Sequence, residues 1–119
     1  MNGLPESFSG EQFVGRELQH VDVCSNQLMF SFDGDCMITL MSSYEVRGGD
    51  LPNQTERVPV PVFSKNLMLL LDRVIVAVEA TNDGTCTFNF EGGHSLSIHD
   101  DVGPYEAYCL AWADGGVRV

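Results

Sequence analysis

Three polar side chains at the end of a predicted strand form the densest cluster of potential chemistry in the sequence. His99, Asp100 and Asp101 are consecutive, and an imidazole with carboxylates could bind a divalent metal. His20 and Asp22 form a second histidine–aspartate pair with related spacing. A structural or catalytic metal site needs three or four ligands in fixed places, and the sequence does not supply the others. We therefore expect a solvated strand end here, and neither a metal nor a cofactor.

The four cysteines, at positions 24, 36, 86 and 109, are the next source of reactivity. No CxxC pair occurs, and Cys36 and Cys86 share the strand parity of buried apolar residues, so we expect both to be small hydrophobes. A catalytic thiolate would need a neighbouring base or cation. His94 takes the position of Cys36 in an internal repeat, so packing of the two copies could bring Cys36 and His94 together. The alternative is a hydrogen-bonded core histidine.

Two carboxylates, Glu45 and Glu106, each follow a tyrosine. Paired carboxylates can perform acid and base chemistry when their environments differ. A repeated Tyr-Glu pair is more typical of a strand end, where the ring packs and the carboxylate accepts a hydrogen bond. The sequence has no GxSxG elbow and no glycine-rich phosphate loop. We therefore predict no catalytic residue.

The elements that would position these residues follow from a pattern that occurs twice. FSFDGDCMITL (30–40) and FNFEGGHSLSI (88–98) align with a shift of 58 positions, and both alternate apolar and polar residues as half-buried strands do. Asp-Gly turns are common, so the alternative to a duplication is two coincidental hairpins. The matched pairs are Phe30 with Phe88, Phe32 with Phe90, Asp33 with Glu91, Tyr44-Glu45 with Tyr105-Glu106, and Val21 and Val23 with Val76 and Val78.

Each copy predicts a three-strand antiparallel meander, so we expect an α+β fold that is mainly antiparallel β. The predicted strands lie near 18–24, 27–33 and 36–42, near 73–80, 85–91 and 94–99, and in a last hairpin of 106–113 with 117–119. Ser64 is a suitable N-cap for one short helix over 64–72. We predict a single domain, 1–119, whose sheet is a strongly curved sheet, an open barrel or split in two. Its parts are a loose N-terminus (1–12), a first β unit (13–46), a polar loop (47–63), the helix, and a second β unit (73–119).

The second half resembles a loose group of small uncharacterised bacterial proteins. The residues that carry this resemblance are Leu67–Val78, the Phe88–Ile98 hairpin, Tyr105-Glu106 and the terminal Gly115–Val119. The group has no assigned activity. Some small acidic proteins of this general kind neutralise toxins or belong to mobile gene cassettes, and the resemblance implies such roles only by association.

The charge balance restricts the possible partners. Seventeen acidic residues against six basic ones give a formal net charge of −11, which repels nucleic acid and anionic membrane and attracts basic proteins. The alternative is that the acidic surface serves only solubility. With neither a leader-like segment nor a long apolar run, we expect a cytoplasmic protein with free thiols and no membrane contact. Without secretion, the glycosylation match at 53–55 carries no meaning.

Two apolar surfaces are candidates for an interface. Met37 and Met41 lie opposite the core side of their strand, whereas the repeat has polar residues at those positions. Either the helix covers them or a second subunit does, as a homodimer would. Tyr108 and Trp112 share one face of a late strand and belong to the core first and to an interface second. The terminal strand, 117–119, is a natural edge for strand addition.

We therefore expect a non-catalytic protein-binding module that engages a basic partner, with toxin neutralisation as one version. The alternative is a small-molecule binder with an apolar cavity between the two β units. Its lining would comprise Phe30, Phe32, Cys36, Phe88, Phe90 and His94. An enzyme ranks third, with Cys36, His94 and His99 as its candidate residues.

Overall fold

The computed structural model describes residues 4–5, 8–52 and 56–119 of the chain, so the glycosylation match at 53–55 lies outside the described residues. Two short 3₁₀ helices and ten strands account for its regular structure. In chain order these are η1 (Glu11–Phe13), β1 (Leu18–Val23), β2 (Leu28–Phe32), β3 (Met37–Leu40), β4 (Ser43–Arg47), β5 (Val58–Pro59), η2 (Lys65–Leu70), β6 (Ile75–Ala80), β7 (Cys86–Phe90), β8 (Ser95–His99), β9 (Tyr108–Trp112) and β10 (Gly115–Arg118).

The strands form two antiparallel five-stranded sheets. Sheet A has the order β1-β2-β3-β9-β10, and sheet B has the order β5-β4-β8-β7-β6. The predicted antiparallel fold with two three-strand meanders and one short helix is confirmed. The sheet is split in two, and the predicted helix is the 3₁₀ helix η2. Ser64 caps η2, because its hydroxyl accepts a hydrogen bond from the Asn66 amide at 3.3 Å.

The two halves of the chain exchange strands. The first half places β1, β2 and β3 in sheet A but β4 and β5 in sheet B, and the second half places β6, β7 and β8 in sheet B but β9 and β10 in sheet A. Each half therefore has the same element order, and each sheet combines one meander with the strand pair of the other half. This arrangement is a pseudo-two-fold repeat of the whole chain.

Hydrogen bonds at the centre of the molecule follow the same pseudo-symmetry. Gly15 N–H donates to the Ile75 carbonyl oxygen at 2.8 Å, and in the equivalent bond Asp72 N–H donates to the Leu18 carbonyl oxygen at 2.8 Å. Gly15 and Asp72 both have positive φ, +87° and +66°. The extra residue of a β-bulge also occurs at the same place in β1 and in β6. We interpret the repeat as an internal duplication, because coincidental hairpins would not share these details.

Side chains support the match of Asp33 with Glu91. The Asp33 carboxylate accepts from the Glu17 amide at 2.6 Å, and the Glu91 carboxylate accepts from the Val74 amide at 3.3 Å. Glu17 and Val74 also form a β-bridge with each other. The repeated hairpins therefore hold equivalent backbone positions where the two halves meet.

Two of the predicted sequence matches are wrong in register. Val21 pairs with Phe30, and its counterpart opposite Phe88 is Val78 rather than Val76. Tyr44 lies opposite Ile98, and the residue at the equivalent position, opposite Leu40, is Tyr108. The counterpart of Tyr44 is therefore Tyr108 and not the predicted Tyr105. The sequence alignment followed the Tyr-Glu identity, whereas strand pairing fixes equivalence in the fold. Tyr105 lies outside the strands and is 74% exposed.

The prediction of a loose N-terminus is wrong for residues 8–12. The Phe8 ring packs on Trp112 with ring centroids 6.5 Å apart. Gly10 is buried with φ of +76°, and a Cβ there would lie 2.6 Å from the Val78 side chain. The predicted loop over 47–63 is also incomplete, since β5 lies within it. Helix η1 was missed because three residues are too few for a periodic pattern.

One core lies between the sheets and draws on both halves. The inner residues of β2 and β3 and those of β7 and β8 are buried. Phe13 of η1 lies at the centre and makes edge-to-face contacts with Phe32 at 5.8 Å and with Phe88 at 5.5 Å. This shared core fixes both outer sheet faces in place.

Candidate functional site

The six residues predicted to line a ligand cavity do not form one. Phe30, Phe32, Phe88 and Phe90 are 0–5% exposed and belong to the hydrophobic core. Neither of the two surface cavities described below is lined by any of these rings. The apolar alternation predicted their burial, but close packing of the sheets fills the space that a ligand would need.

Cys36 and His94 occupy equivalent positions, as predicted, but within the described residues no hydrogen bond joins them. Phe32 N–H donates to the Cys36 carbonyl oxygen at 2.9 Å, and Phe90 N–H donates to that of His94 at 2.8 Å. The Cys36 thiol donates to the Gln12 carbonyl oxygen at 3.3 Å. Buried Nδ1 of His94 has no hydrogen-bond partner in the described structure. The two side chains therefore have different hydrogen-bond surroundings in the described structure.

The four cysteines are free. The surroundings raise the pKa of three of them, and these three are therefore poor nucleophiles. Burial raises the pKa of Cys36, and it raises the pKa of Cys86 to about 12. Burial and a hydrogen bond to the Glu106 carboxylate at 2.6 Å raise the pKa of Cys109 to about 11. These three groups are thiols at neutral pH, so they lack the thiolate that nucleophilic catalysis requires.

His99 is the centre of a buried polar network, not of a metal site. Its Nε2 lies 2.9 Å from Oε1 of Glu45, and its Nδ1 lies 3.3 Å from the Thr85 hydroxyl. Asp101 instead accepts hydrogen bonds from Ser43 at 2.5 Å and from Arg57 at 3.2 Å. In the described part of the chain, no group of three or more potential ligands converges on a metal position.

Glu45 is ionised and His99 neutral in this network. Burial opposes the charge of Glu45, but the hydrogen bond and charge of Arg47 at 2.7 Å, together with His99, lower the pKa of Glu45 below its usual value. Burial and the positive charge of Arg57 lower the pKa of His99. Threonine, histidine and carboxylate stand here in the order of a nucleophilic triad. His99 and Glu45 are only 5% and 6% exposed, whereas Thr85, in the position of the nucleophile, is half-buried.

The outer faces of the two sheets differ in polarity at five of six equivalent positions near the middle of the sheets. At these six positions sheet A has apolar residues apart from one threonine, and we call this set the methionine face. Its neighbours on the same side of sheet A, Ser31, Asp22 and Arg118, are polar. On sheet B the equivalent residues are polar, and we call them the polar face. The methionine face consists of Met29, Met37, Thr39, Met41, Cys109 and Ala111, and the polar face consists, in the same order, of Thr87, Ser95, Ser97, His99, Glu45 and Arg47.

The polar face has several side-chain hydrogen bonds, whereas the methionine face has few. Thr87 and Ser97 hydroxyls lie 2.8 Å apart, and Glu45 binds His99 and Arg47. On the methionine face, the side-chain hydrogen bond in the described structure is the one from Cys109 to Glu106. One face therefore satisfies its own polar groups, whereas the other offers apolar surface.

An open groove of about 750 Å³ lies on the methionine face over β3, β9 and β10. Met41, Thr39 and Cys109 line it, and Glu106 and Arg118 stand at its edge 3.9 Å apart. Helix η2 does not cover this surface, since its Leu67 and Leu70 enter the core instead. Within the described residues, Met37 and Met41 therefore lie on a face that η2 does not cover, and both are half-buried.

The predicted interface residues Tyr108 and Trp112 do not belong to this face. Tyr108 is fully buried, and its hydroxyl donates to the Gly84 carbonyl oxygen at 2.6 Å. Trp112 is half-buried and borders a smaller cavity of about 240 Å³ beside Phe8. Cys109 and Ala111 were missed as members of the methionine face. Their alternation within β9 was visible in the sequence, but the pairing of β9 with β3 was not.

Comparison with known proteins gives a family and no activity. No curated protein and no solved structure matches the chain. Among the described residues, no helix is long and apolar enough to cross a membrane. A family model described as "Family of unknown function (DUF6188)" matches residues 9–119. The chain therefore belongs to DUF6188, a family of unknown function.

Proposed function

We propose that the protein is a non-catalytic protein-binding module and that its methionine face binds a basic segment of a partner protein. The observation that carries this proposal is the contrast between the two outer sheet faces. The duplicated fold supplies an internal control, because the same six positions are polar on sheet B and mostly apolar on sheet A. Fold stability alone does not require an apolar outer face, since sheet B is built without one.

The chemistry of the face suits a protein segment. Methionine side chains are flexible and polarisable, so a methionine-rich surface adapts to apolar side chains of a partner. The groove at Met41 and Cys109 is open, as an extended or irregular segment requires. The raised pKa values of the Cys86 and Cys109 thiols favour binding over nucleophilic catalysis by cysteine.

The charge of the chain favours a basic partner over a second copy. Two copies would each bring a formal charge of −11 to a shared interface, and this repulsion opposes dimerisation. A basic partner is attracted instead, and its association slows as salt screens the charges. Neutralisation of a basic toxin and an accessory role in a mobile cassette are both versions of this proposal. Four free cysteines are typical of a reducing compartment, so we place this binding in the cytoplasm.

Selection from a phage-displayed library of random peptides tests the proposal. We expect enriched peptides with positive charge and several large apolar residues, and weaker binding at higher salt. The test variant carries Met29→Thr, Met37→Ser and Met41→His, which copies the polar face onto sheet A. The matched control carries Thr87→Ser and Ser95→Thr on the polar face.

Binding of the enriched peptides should be lost in the test variant and kept in the control, with both variants folded by circular dichroism. Equal binding to both variants, or a library that yields no basic peptides, would overturn the proposal. Native mass spectrometry of the free protein checks the alternative occupant. A salt-stable dimer that dissociates in the test variant would assign the face to a second copy.

A further inference from the structure

Four strands form the edges of the two sheets in the described part of the chain, and three of them carry features that hinder strand addition. β1 and β6 each contain a bulge, at Gln19 and Val76. β5 has two residues, and its Pro59 has no amide donor. Bulges and prolines are the usual protection of a sheet edge. β10 contains neither a bulge nor a proline, and its protection consists of its short length and the charge of Arg118, so it is the least protected edge.

The hydrogen bonds of β10 determine which of its backbone groups are free. Tyr108 and Val119 exchange both backbone bonds, with Val119 N–H donating at 2.8 Å and Tyr108 N–H donating at 3.1 Å. Antiparallel pairs alternate between bonded and non-bonded positions. Val117 therefore also bonds to β9, whereas Gly116 and Arg118 direct their N–H and C=O groups away from it. These groups are spaced for pairing with a further strand.

We propose that the basic partner segment binds as an extended strand paired with β10 and that alternate side chains of this strand enter the groove. The inference rests on the proposed function and names the binding mode at the same site. Gly116, Val117 and Arg118 border the groove that Met41 also lines, so a strand on β10 lies beside the methionine face. The acidic charge of the chain favours lysine or arginine in the added strand.

The test compares two substitutions at one residue. Arg118→Ala removes the side chain and keeps the amide, whereas Arg118→Pro removes the amide donor as well. The Arg118 amide is not part of the β9–β10 ladder, so proline leaves that ladder intact. The probe is an amidated peptide of about six alternating lysines and valines, a typical strand length.

We expect Arg118→Ala to bind the peptide at least as tightly as the unchanged protein, because it removes a cation from the groove edge. We expect Arg118→Pro to bind about ten-fold more weakly or worse, since a backbone hydrogen bond is lost. Hydrogen exchange provides a second readout on the unchanged protein. Peptide should slow exchange of the Gly116 and Arg118 amides, because these two amides would become bonded.

Three results would overturn strand addition: no binding of the peptide, equal affinity of the alanine and proline variants, or unprotected Gly116 and Arg118 amides in the complex. If Arg118→Pro does not fold, the hydrogen-exchange measurement on the unchanged protein still tests strand addition. None of these results concerns the library selection with the methionine-face variant. Failure of the binding mode is therefore distinguishable from failure of the proposed function.

Discussion

The side chains with the most reactive chemistry in this protein form a hydrogen-bonded network between two strands. His99 and Glu45 join β8 to β4, and Arg47 completes the network from the solvent side. The network residues occupy the positions that Met41, Cys109 and Ala111 hold on sheet A. At the scale of the residue, we therefore expect this network to make the stability of the protein depend on pH.

Lowering the pH should destabilise the protein through His99. Its folded-state pKa is lowered, so below the ordinary value of 6.5 the unfolded state binds more protons than the folded state. The free energy of unfolding should then fall as the pH drops through about 6.5. Glu45, whose pKa is also lowered, should extend the loss below its ordinary value of 4.5. Urea denaturation over a pH series measures both effects.

The matched control is His99→Gln, which should lose the part of the slope near the ordinary histidine pKa and keep the part due to Glu45. The same slope in both proteins would show that His99 does not cause the loss.

Tyr105 and Tyr108 should respond differently to removal of the side-chain hydroxyl. Tyr108→Phe leaves the buried Gly84 carbonyl without its donor and should cost about 1–3 kcal/mol of unfolding free energy. Tyr105→Phe changes an exposed ring and should cost less than about 0.5 kcal/mol. Thermal or urea denaturation of both variants measures the two losses of unfolding free energy. A larger cost at Tyr105 would contradict the assignment of Tyr108 as the counterpart of Tyr44.

At the scale of the element, the strands depend on a close approach between two turns. Gly48 follows β4, and Gly93 lies in the turn between β7 and β8. A Cβ at Gly48 would lie 2.0 Å from the Gly93 carbonyl oxygen. This backbone contact allows β4 to lie along β8 in register, so it connects the exchanged strand to its new sheet.

Alanine at Gly48 should therefore cost more than alanine at Gly15, although both glycines have positive φ, +102° and +87°. Gly15→Ala adds a Cβ to open space and should cost about 1–2 kcal/mol for the left-handed backbone alone. Gly48→Ala must also displace backbone and should cost about 3 kcal/mol or more. Urea denaturation measures both, and similar costs would show that the close approach is not essential.

At the scale of the whole molecule, the exchange of strands makes the two halves interdependent. Sheet A is incomplete without β9 and β10, and sheet B is incomplete without β4 and β5. Phe13 of the first half also packs against Phe88 of the second. Neither half has a core of its own, so stability belongs to the complete chain.

Two fragments divided after Phe63 should each be unfolded in isolation and should regain the fold when mixed. The reason is that each fragment alone exposes the inner face of its meander and lacks the strands that complete its sheet. Circular dichroism and amide NMR spectra of the separate and mixed fragments provide the measurement. A native spectrum from one fragment alone would show that a half is an independent domain.

The sequence by itself determined the local elements of this protein. Alternation around Phe30 and Phe88 predicted strands and the buried side of each, because the side-chain period of two is a property of the single strand. Ser64 marked the start of η2, and the match of the two hairpins predicted the duplication. The unusual apolar character of Met37 and Met41 was also visible, since the repeat offered Ser95 and His99 for comparison.

Only the tertiary structure decided which strands are neighbours. The pairing of β3 with β9 and of β4 with β8 joins residues far apart in the chain, and no local pattern encodes it. This pairing buried Tyr108 and exposed Tyr105. It also placed Cys109 and Ala111 beside the methionines and left β10 at the edge of sheet A. The faces of the strands were thus a local property, whereas the candidate binding surface arose from contacts that only the folded chain makes.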